Sequence, residues 1–218
     1  WLGVNPENGD PLWEKVVYDA AGNITDRQQT NNYNETTFQV VGKATPKFSG
    51  GWSNNLTYKG FFLSLNTNFV YGNKIFNYNR LSLDADGAYL GYNQISLENN
   101  GLGWTRWEKA GDIATHPKLV MNGNKSSNNI SSRYLEDGSF FRIKNLKIGY
   151  EVPAKLLRVA HIQNCKFYVS GDNLFTLTRF SGMDPEVSIR TSAYSLAGLY
   201  SDNYPVSRQI LVGVEFGF

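Results

Sequence analysis

The stretch ILVGVEFGF, residues 210–218, puts Ile210, Val212, Val214, Phe216 and Phe218 on one face of an extended chain, and Leu211, Gly213, Glu215 and Gly217 on the other. One side is an unbroken apolar stripe and the other carries mostly small or charged groups. A strand lying between lipid and a wet lumen has this pattern. A half-buried strand of a soluble sandwich alternates too, so the remaining strands must decide.

Working upstream, Phe167, Val169 and Gly171 alternate with Tyr168, Ser170 and Asp172. Between Phe140 and Glu151, Leu146, Ile148 and Tyr150 share one face and Asn145, Lys147 and Gly149 the other. Phe141 and Ile143 have the opposite phase, which predicts a bulge or rim near Lys144. Pro153 ends this strand, and a short segment, Ala154 to Gln163, leads to the next. Earlier, the strand Phe48 to Tyr58 ends with Leu56 and Tyr58 on one face, and Lys59-Gly60 forms a two-residue turn. The chain returns with Phe61, Leu63, Leu65, Thr67, Phe69 and Tyr71 on one side and Phe62, Ser64, Asn66 and Asn68 on the other. Tyr58 then lies opposite Phe61, and the two apolar stripes join.

Helical periodicity is almost absent, so the fold class is all-β. The connections alternate in length. Lys59-Gly60 and Ala154 to Gln163 are short, while the polar stretch before Lys47, the Asn-, Gly- and Ser-rich Gly72 to Ser139, and Met183 to Tyr204 are long. A compact soluble domain rarely carries so long an irregular connection as the central one. Outer-membrane barrels have short periplasmic turns and long extracellular loops. Five strands do not close a barrel, since single-chain bacterial barrels begin at about 8. The expectation is the C-terminal part of a larger antiparallel transmembrane barrel.

Composition narrows the classes further. The 21 basic and 19 acidic residues are spread along 218 positions without a basic block, so nucleic-acid binding has no support. No apolar run approaches the roughly 18 residues of a membrane helix, but barrel strands hide their hydrophobicity in alternate positions. Aromatics are 14% of the chain, which suits interfacial girdles and a sugar-binding surface equally. A targeting peptide is not visible at Trp1. Cys165 is the single cysteine and reads as a buried, disulfide-free thiol.

Six stretches in order carry a family resemblance: GVNPENGDP (3–11), GGWSNNLTYKGFFLSL (50–65), YGNKIFN (71–77), YLEDGSFFRIKNLKIGYEVP (134–153), FYVSGDNLFTLTRFSGMDPEV (167–187) and YPVSRQILVGVEFGF (204–218). This order resembles the end of SusC-like (SusC/RagA) TonB-dependent outer-membrane transporters. The resemblance implies that residues 1–218 are C-terminal strands of a barrel of about 22 strands, with the plug and N-terminal strands lying upstream. It also implies import of oligosaccharides or peptides, a SusD-like surface lipoprotein as lid, and energy from TonB through the N-terminal part. Phe218, with Phe216, resembles the terminal aromatic signal read by the barrel-assembly machinery; the same ring would also anchor the strand in the membrane interface. Asp137-Gly138 fits a turn into the strand from Phe140, and Gly149 and Gly171 fit close packing in a bent sheet.

Catalytic and metal patterns are weak. His116 and His161 are far apart with no Cys near either, giving little support for zinc. Asp84, Asp86 and Gly87 begin like a calcium loop but lack the distal Glu, which predicts a solvated turn. Asp184 and Glu186 flank Pro185 in an outer loop and read as non-catalytic. Neither a G-x-S-x-G elbow nor a phosphate-binding glycine loop occurs. No enzyme activity and no cofactor are expected. Trp104, Arg106 and Trp107 are the candidates for contact with cargo or partner, although large aromatics also tuck loops onto a rim. Asn66, Asn68 and Asp172 are expected to face the lumen.

Two other readings compete with the importer. A secreted carbohydrate-binding β-sandwich would hide its apolar stripes inside its own core, whereas a barrel turns them outward to membrane lipid. A TonB-dependent siderophore or vitamin receptor keeps the barrel and changes the cargo.

Overall fold

The computed structural model describes residues 1–89, 91, 103–158, 162–186, 189–190, 195–201 and 204–217. In chain order its elements are β1 (Gly3–Val4), β2 (Pro11–Tyr18), β3 (Ile24–Thr30), β4 (Phe48–Tyr58), β5 (Phe61–Tyr71), β6 (Lys74–Asn77) and α1 (Tyr78–Leu83). There follow β7 (Leu135–Asp137), β8 (Phe140–Glu151), α2 (Ala154–Leu157), β9 (Asn164–Thr178), β10 (Ile189–Arg190), β11 (Ser195–Leu196), β12 (Leu199–Tyr200) and β13 (Gln209–Gly217). Among the described residues the regular structure is mostly strand, with two short α-helices, as the alternation predicts. It divides into two units. One comprises Trp1–Gly42, Ile75–Glu136 and Leu199–Asp202, and the other Lys43–Lys74, Asp137–Gly198 and Asn203–Phe218.

The second unit is built on an open, five-stranded antiparallel sheet in the order β13-β9-β8-β5-β4. Each strand pairs with the next sheet strand in sequence, so the sheet is a meander, and it does not close on itself. Lys59 and Gly60 both take positive φ, 48° and 88°, the two-residue turn whose twist matches a hairpin. Tyr58 pairs with Phe61 as the alternation requires. The ladder then runs across all five strands: Val212, Val169, Ile148, Leu63 and Leu56 form one row, and Val214, Phe167, Tyr150, Phe61 and Tyr58 the next.

The predicted bulge is at Lys144, which has no partner in either ladder. The extra residue resolves the phase conflict in β8. Thr67 pairs with Ile143 and Phe69 with Phe141, while Leu65 pairs with Leu146, so the apolar residues on both sides of the bulge return to one face. On the opposite face Gly149 sits where a Cβ would strike the Phe62 ring and the Phe167 carbonyl, and a Cβ at Gly213 would strike the Tyr168 ring. Glycine there lets aromatic rings lie flat over the backbone. Cys165 is buried and free.

The first unit contains the β1-β2-β3 sheet, where the sequence predicts only a polar stretch. It also holds the small β12-β6-β7 sheet. Trp13, Tyr134 and Tyr200 are fully buried. The long central stretch is therefore partly regular, and its described remainder is held by side chains.

Candidate functional site

The apolar face of the five-stranded sheet has nothing packed over it among the described residues. Val212 is 79% exposed, Phe61 61% and Trp52 57%, and Ile148, Val169, Phe175 and Phe216 are about half exposed. Aromatic side chains gather towards both ends of the strands: Tyr58, Phe61, Tyr150 and Phe167 beside the short connections, and Phe48, Phe69, Tyr71 and Phe141 beside the long ones. Phe48 stacks on Tyr71 at 5.0 Å, and Phe61 lies 4.8 Å from Tyr150. Aliphatic residues fill the band between. An 11-residue strand such as β5, at about 3.4 Å per residue and a tilt near 40°, reaches about 26 Å across, close to the apolar band of a membrane barrel.

The opposite face is polar and interlinked. Asn66 pairs with Asn145, whose amide donates to Asp172 Oδ1 at 2.7 Å. Asn68 donates to Glu186 Oε1 at 3.3 Å. Next to it Arg142, 2% exposed, donates from Nη2 to Asp184 Oδ1 (2.6 Å), from Nη1 to Glu186 Oε2 (2.8 Å) and from Nε to Thr176 Oγ1 (2.9 Å). Lys144, the bulge residue, reaches both oxygens of Glu186 at 2.8 Å. The cluster holds the segment around Pro185 against the polar face. Asp184 and Glu186 are both paired with cations. Lys147 lies 3.7 Å over the Tyr168 ring on the same face. Asn66, Asn68 and Asp172 were named from alternation; Arg142 and Lys144 were not. The signal available for Arg142 was a charge between Phe141 and Ile143, which must point away from their face and find a counter-charge.

The predicted solvated turn at Asp84 and Asp86 is overturned, because both carboxylates are fully buried. Asp86 accepts from Arg106 Nη1 (2.9 Å), from both terminal nitrogens of Arg133, and from Ser127 Oγ (2.6 Å). Asp84 accepts from Arg80 Nε at 2.8 Å and contacts His116 Nε2 at 3.2 Å. Gly87, at φ 98°, takes a position where a Cβ would strike the Val120 carbonyl. Cations distant in sequence make this burial possible, and a local motif gives no sign of them. Burial raises the Asp84 carboxyl, but the His116 hydrogen bond and the charge of Arg80 outweigh it and hold the group below the usual carboxylate range. Burial also pushes the His116 imidazole below its ordinary value, against the pull of Asp84, and pushes the Tyr134 phenol up. Among the described residues no three His, Cys, Asp or Glu side chains converge as a metal set.

The three loop candidates lie in this assembly. Arg80 stacks over the Trp104 ring at 4.2 Å, and His116 lies 5.2 Å from it. Arg106 bridges Asp86 and the Pro117 carbonyl. The Trp107 indole donates to the Pro6 carbonyl at 2.9 Å, and Gly9 lies so close to its ring that a Cβ would collide. Phe216 pairs with Cys165 at the edge strand. Phe218 and His161 lie outside the described residues.

No family model matches the sequence. TonB-dependent receptor P3 of Formosa agariphila is 31% identical over 184 residues, 83% of this chain and 17% of its own length. TonB-dependent receptor P39 of the same organism is 27% identical over 181 residues, 82% of this chain. Among solved structures, the RagAB peptide transporter superposes with a TM-score of 0.74 at 26% identity, covering 99% of this chain and 22% of that one. The RagAB peptide importer in its closed-closed state gives 0.73, with the same coverage. The chain is a SusC-like TonB-dependent receptor sequence. It spans about a sixth of the receptors it matches, 17% of the first two. Among the described residues the five-stranded sheet leaves its apolar face uncovered, whereas a two-layer sandwich would pack that face against a second sheet.

Proposed function

We propose that this chain is the C-terminal part of a TonB-dependent outer-membrane importer, residues 1–218 contributing strands to a barrel of about 22. The observation that carries the reading is the sheet itself, apolar and uncovered on one face with aromatics flanking an aliphatic band, polar and ion-paired on the other. Lipid is the solvent for the first face and the aqueous lumen for the second. Asn66, Asn68 and Asp172 line the passage. Trp104, Arg106 and Trp107 shape the outer loop that meets the cargo or a SusD-like surface lipoprotein. Phe216 and Phe218 present the strand end to the barrel-assembly machinery. Cargo is an oligosaccharide or a peptide, moved without chemical change; the similarity to the RagAB peptide importer favours peptides.

The test uses the full-length protein in its native host. It fractionates with outer membranes, needs detergent for extraction, and takes up labelled oligosaccharide or peptide only while TonB is functional. A lid-like lipoprotein co-purifies. Recovery in buffer without detergent would instead select the secreted sandwich, and TonB-dependent uptake of iron chelates or vitamins alone the siderophore or vitamin receptor.

A further inference from the structure

The polar face of the five-stranded sheet is not uniformly open. Asn66, Asn145, Lys147, Ser170 and Asp172 are each half-buried, yet Arg142, on the same face, is 2% exposed. A guanidinium on an open sheet face keeps its charged head in water. What covers this one is the chain that follows β9. Past Thr178 it turns back, and Asp184-Pro185-Glu186 lies over the rows of β8 and β5 nearest the long connections. Asp184 takes Arg142 Nη2, while Glu186 takes Arg142 Nη1, Lys144 Nζ and the Asn68 amide. Lys144 is the unpaired bulge residue, so the irregularity that keeps β8 in phase also supplies this contact.

The turn holds its own shape and has two unlike ends. Asp184 Oδ1 accepts the Glu186 backbone N–H at 2.9 Å, closing the chain around Pro185, whose ring fixes φ. The Arg142–Asp184 pair is shielded from water, its side chains 2% and 3% exposed, whereas Lys144 and Glu186 are 37% and 33% exposed. The first pair is an anchor that is costly to break, and the second is screened and weak. Two cations meet two carboxylates, so the turn covers the face without leaving a net charge on it.

We propose that Asp184-Pro185-Glu186 is an inward-folded strap that narrows the outer end of the passage and limits the size of what reaches Asn66 and Asp172, with Arg142 and Lys144 as its anchors. The inference rests on the transport reading, which makes this face the lumen. The test uses the full-length receptor in intact cells, with Ser64→Cys on the same face as Asn68 but nearer the Lys59-Gly60 turn, read against the receptor without it. Thiol reagents that do not cross membranes are added from outside, a small cationic methanethiosulfonate and a bulky maleimide on polyethylene glycol. With the strap in place the small reagent reacts and the bulky one is excluded. Asp184→Asn with Glu186→Lys detaches both ends, Arg142 regains water as the turn leaves, and bulky labelling should rise about tenfold. Should that variant fail to fold, Glu186→Lys alone keeps the buried pair, sets a third cation beside Arg142 and Lys144, and should give a rise of about threefold. Val212→Cys separates the two inferences. Labelling there with the strap intact puts the apolar face in water and removes the barrel reading itself. No labelling there, with bulky labelling at Ser64→Cys unchanged by strap release, overturns the strap alone. A rise at Val212→Cys in step with Ser64→Cys would show general loosening and overturn it too.

Discussion

In the five-stranded sheet the large apolar side chains face outward and the charges gather on the other face, while around Asp84 and Asp86 the charges themselves form the interior. The difference follows from what each region has for a backbone. The inner strands β5, β8 and β9 are laddered on both sides and the edge strands β4 and β13 on one, so the side chains of the sheet are largely free of backbone hydrogen-bonding work. Much of the stretch between α1 and β7 has no ladder, and side chains take over that work: Arg106 donates to the Pro117 carbonyl, Arg133 and Tyr134 to that of Ser127, and Asn124 to those of Gly9 and Lys118. Buried charge here fixes an irregular chain. On the sheet, exposed hydrophobicity marks the face that the proposed barrel would turn to lipid.

This contrast breaks most sharply at Asp86. Asp86→Ala leaves the buried Arg133 and the partly buried Arg106 without this carboxylate and should cost about 3–5 kcal/mol. Limited proteolysis of the full-length protein should then cut within residues 103–134 while the sheet stays resistant. Simultaneous loss of the sheet would show that the two regions do not differ as described.

A charge on the apolar face comes next. Val212→Arg should destabilise folding into lipid vesicles by about 2–4 kcal/mol if that face meets the bilayer midplane, whereas Ser170→Arg on the polar face should cost far less. Equal costs would remove the distinction between the faces. Smaller again is Gly149→Ala, whose new methyl meets the Phe62 ring and the Phe167 carbonyl, with an expected loss of about 1–3 kcal/mol read in the same titration.

The smallest effect is acid. The His116 imidazole is held below its ordinary value of about 6.5 in the folded chain, so on acidification the unfolded chain binds protons first and stability falls through that range. Asp84, held below the carboxylate range, keeps its contribution until the pH falls much further. Amide protection factors, which divide out the intrinsic pH dependence of exchange, should fall in residues 103–134 between pH 7 and 5 while those in the sheet hold steady, and His116→Gln should flatten that response.

The sheet was legible because its information is local. Alternation in β5 and β13, the positive-φ turn at Lys59-Gly60 and the phase change at Lys144 each occupy a few consecutive residues, and pairing follows from joining the stripes. The β2-β3 hairpin was missed because Glu14, Lys15, Asp26, Arg27 and Gln28 break any clean apolar alternation. The sequence named Trp104, Arg106 and Trp107 by residue type but gave no partners for them. Asp84 and Asp86 were placed in water because nothing beside them in the chain is basic except Arg80.

By itself the sequence determined the strand class, the two faces of the sheet and the bulge that keeps them in phase, since a two-residue period needs only neighbouring positions to be read. Tertiary structure alone decided which charges are buried, that Arg142 grips Asp184, and that the Trp13 indole N–H is buried with no acceptor among the described residues. Those outcomes depend on pairs tens of residues apart, where an ion's solvation is set by whatever the fold brings beside it.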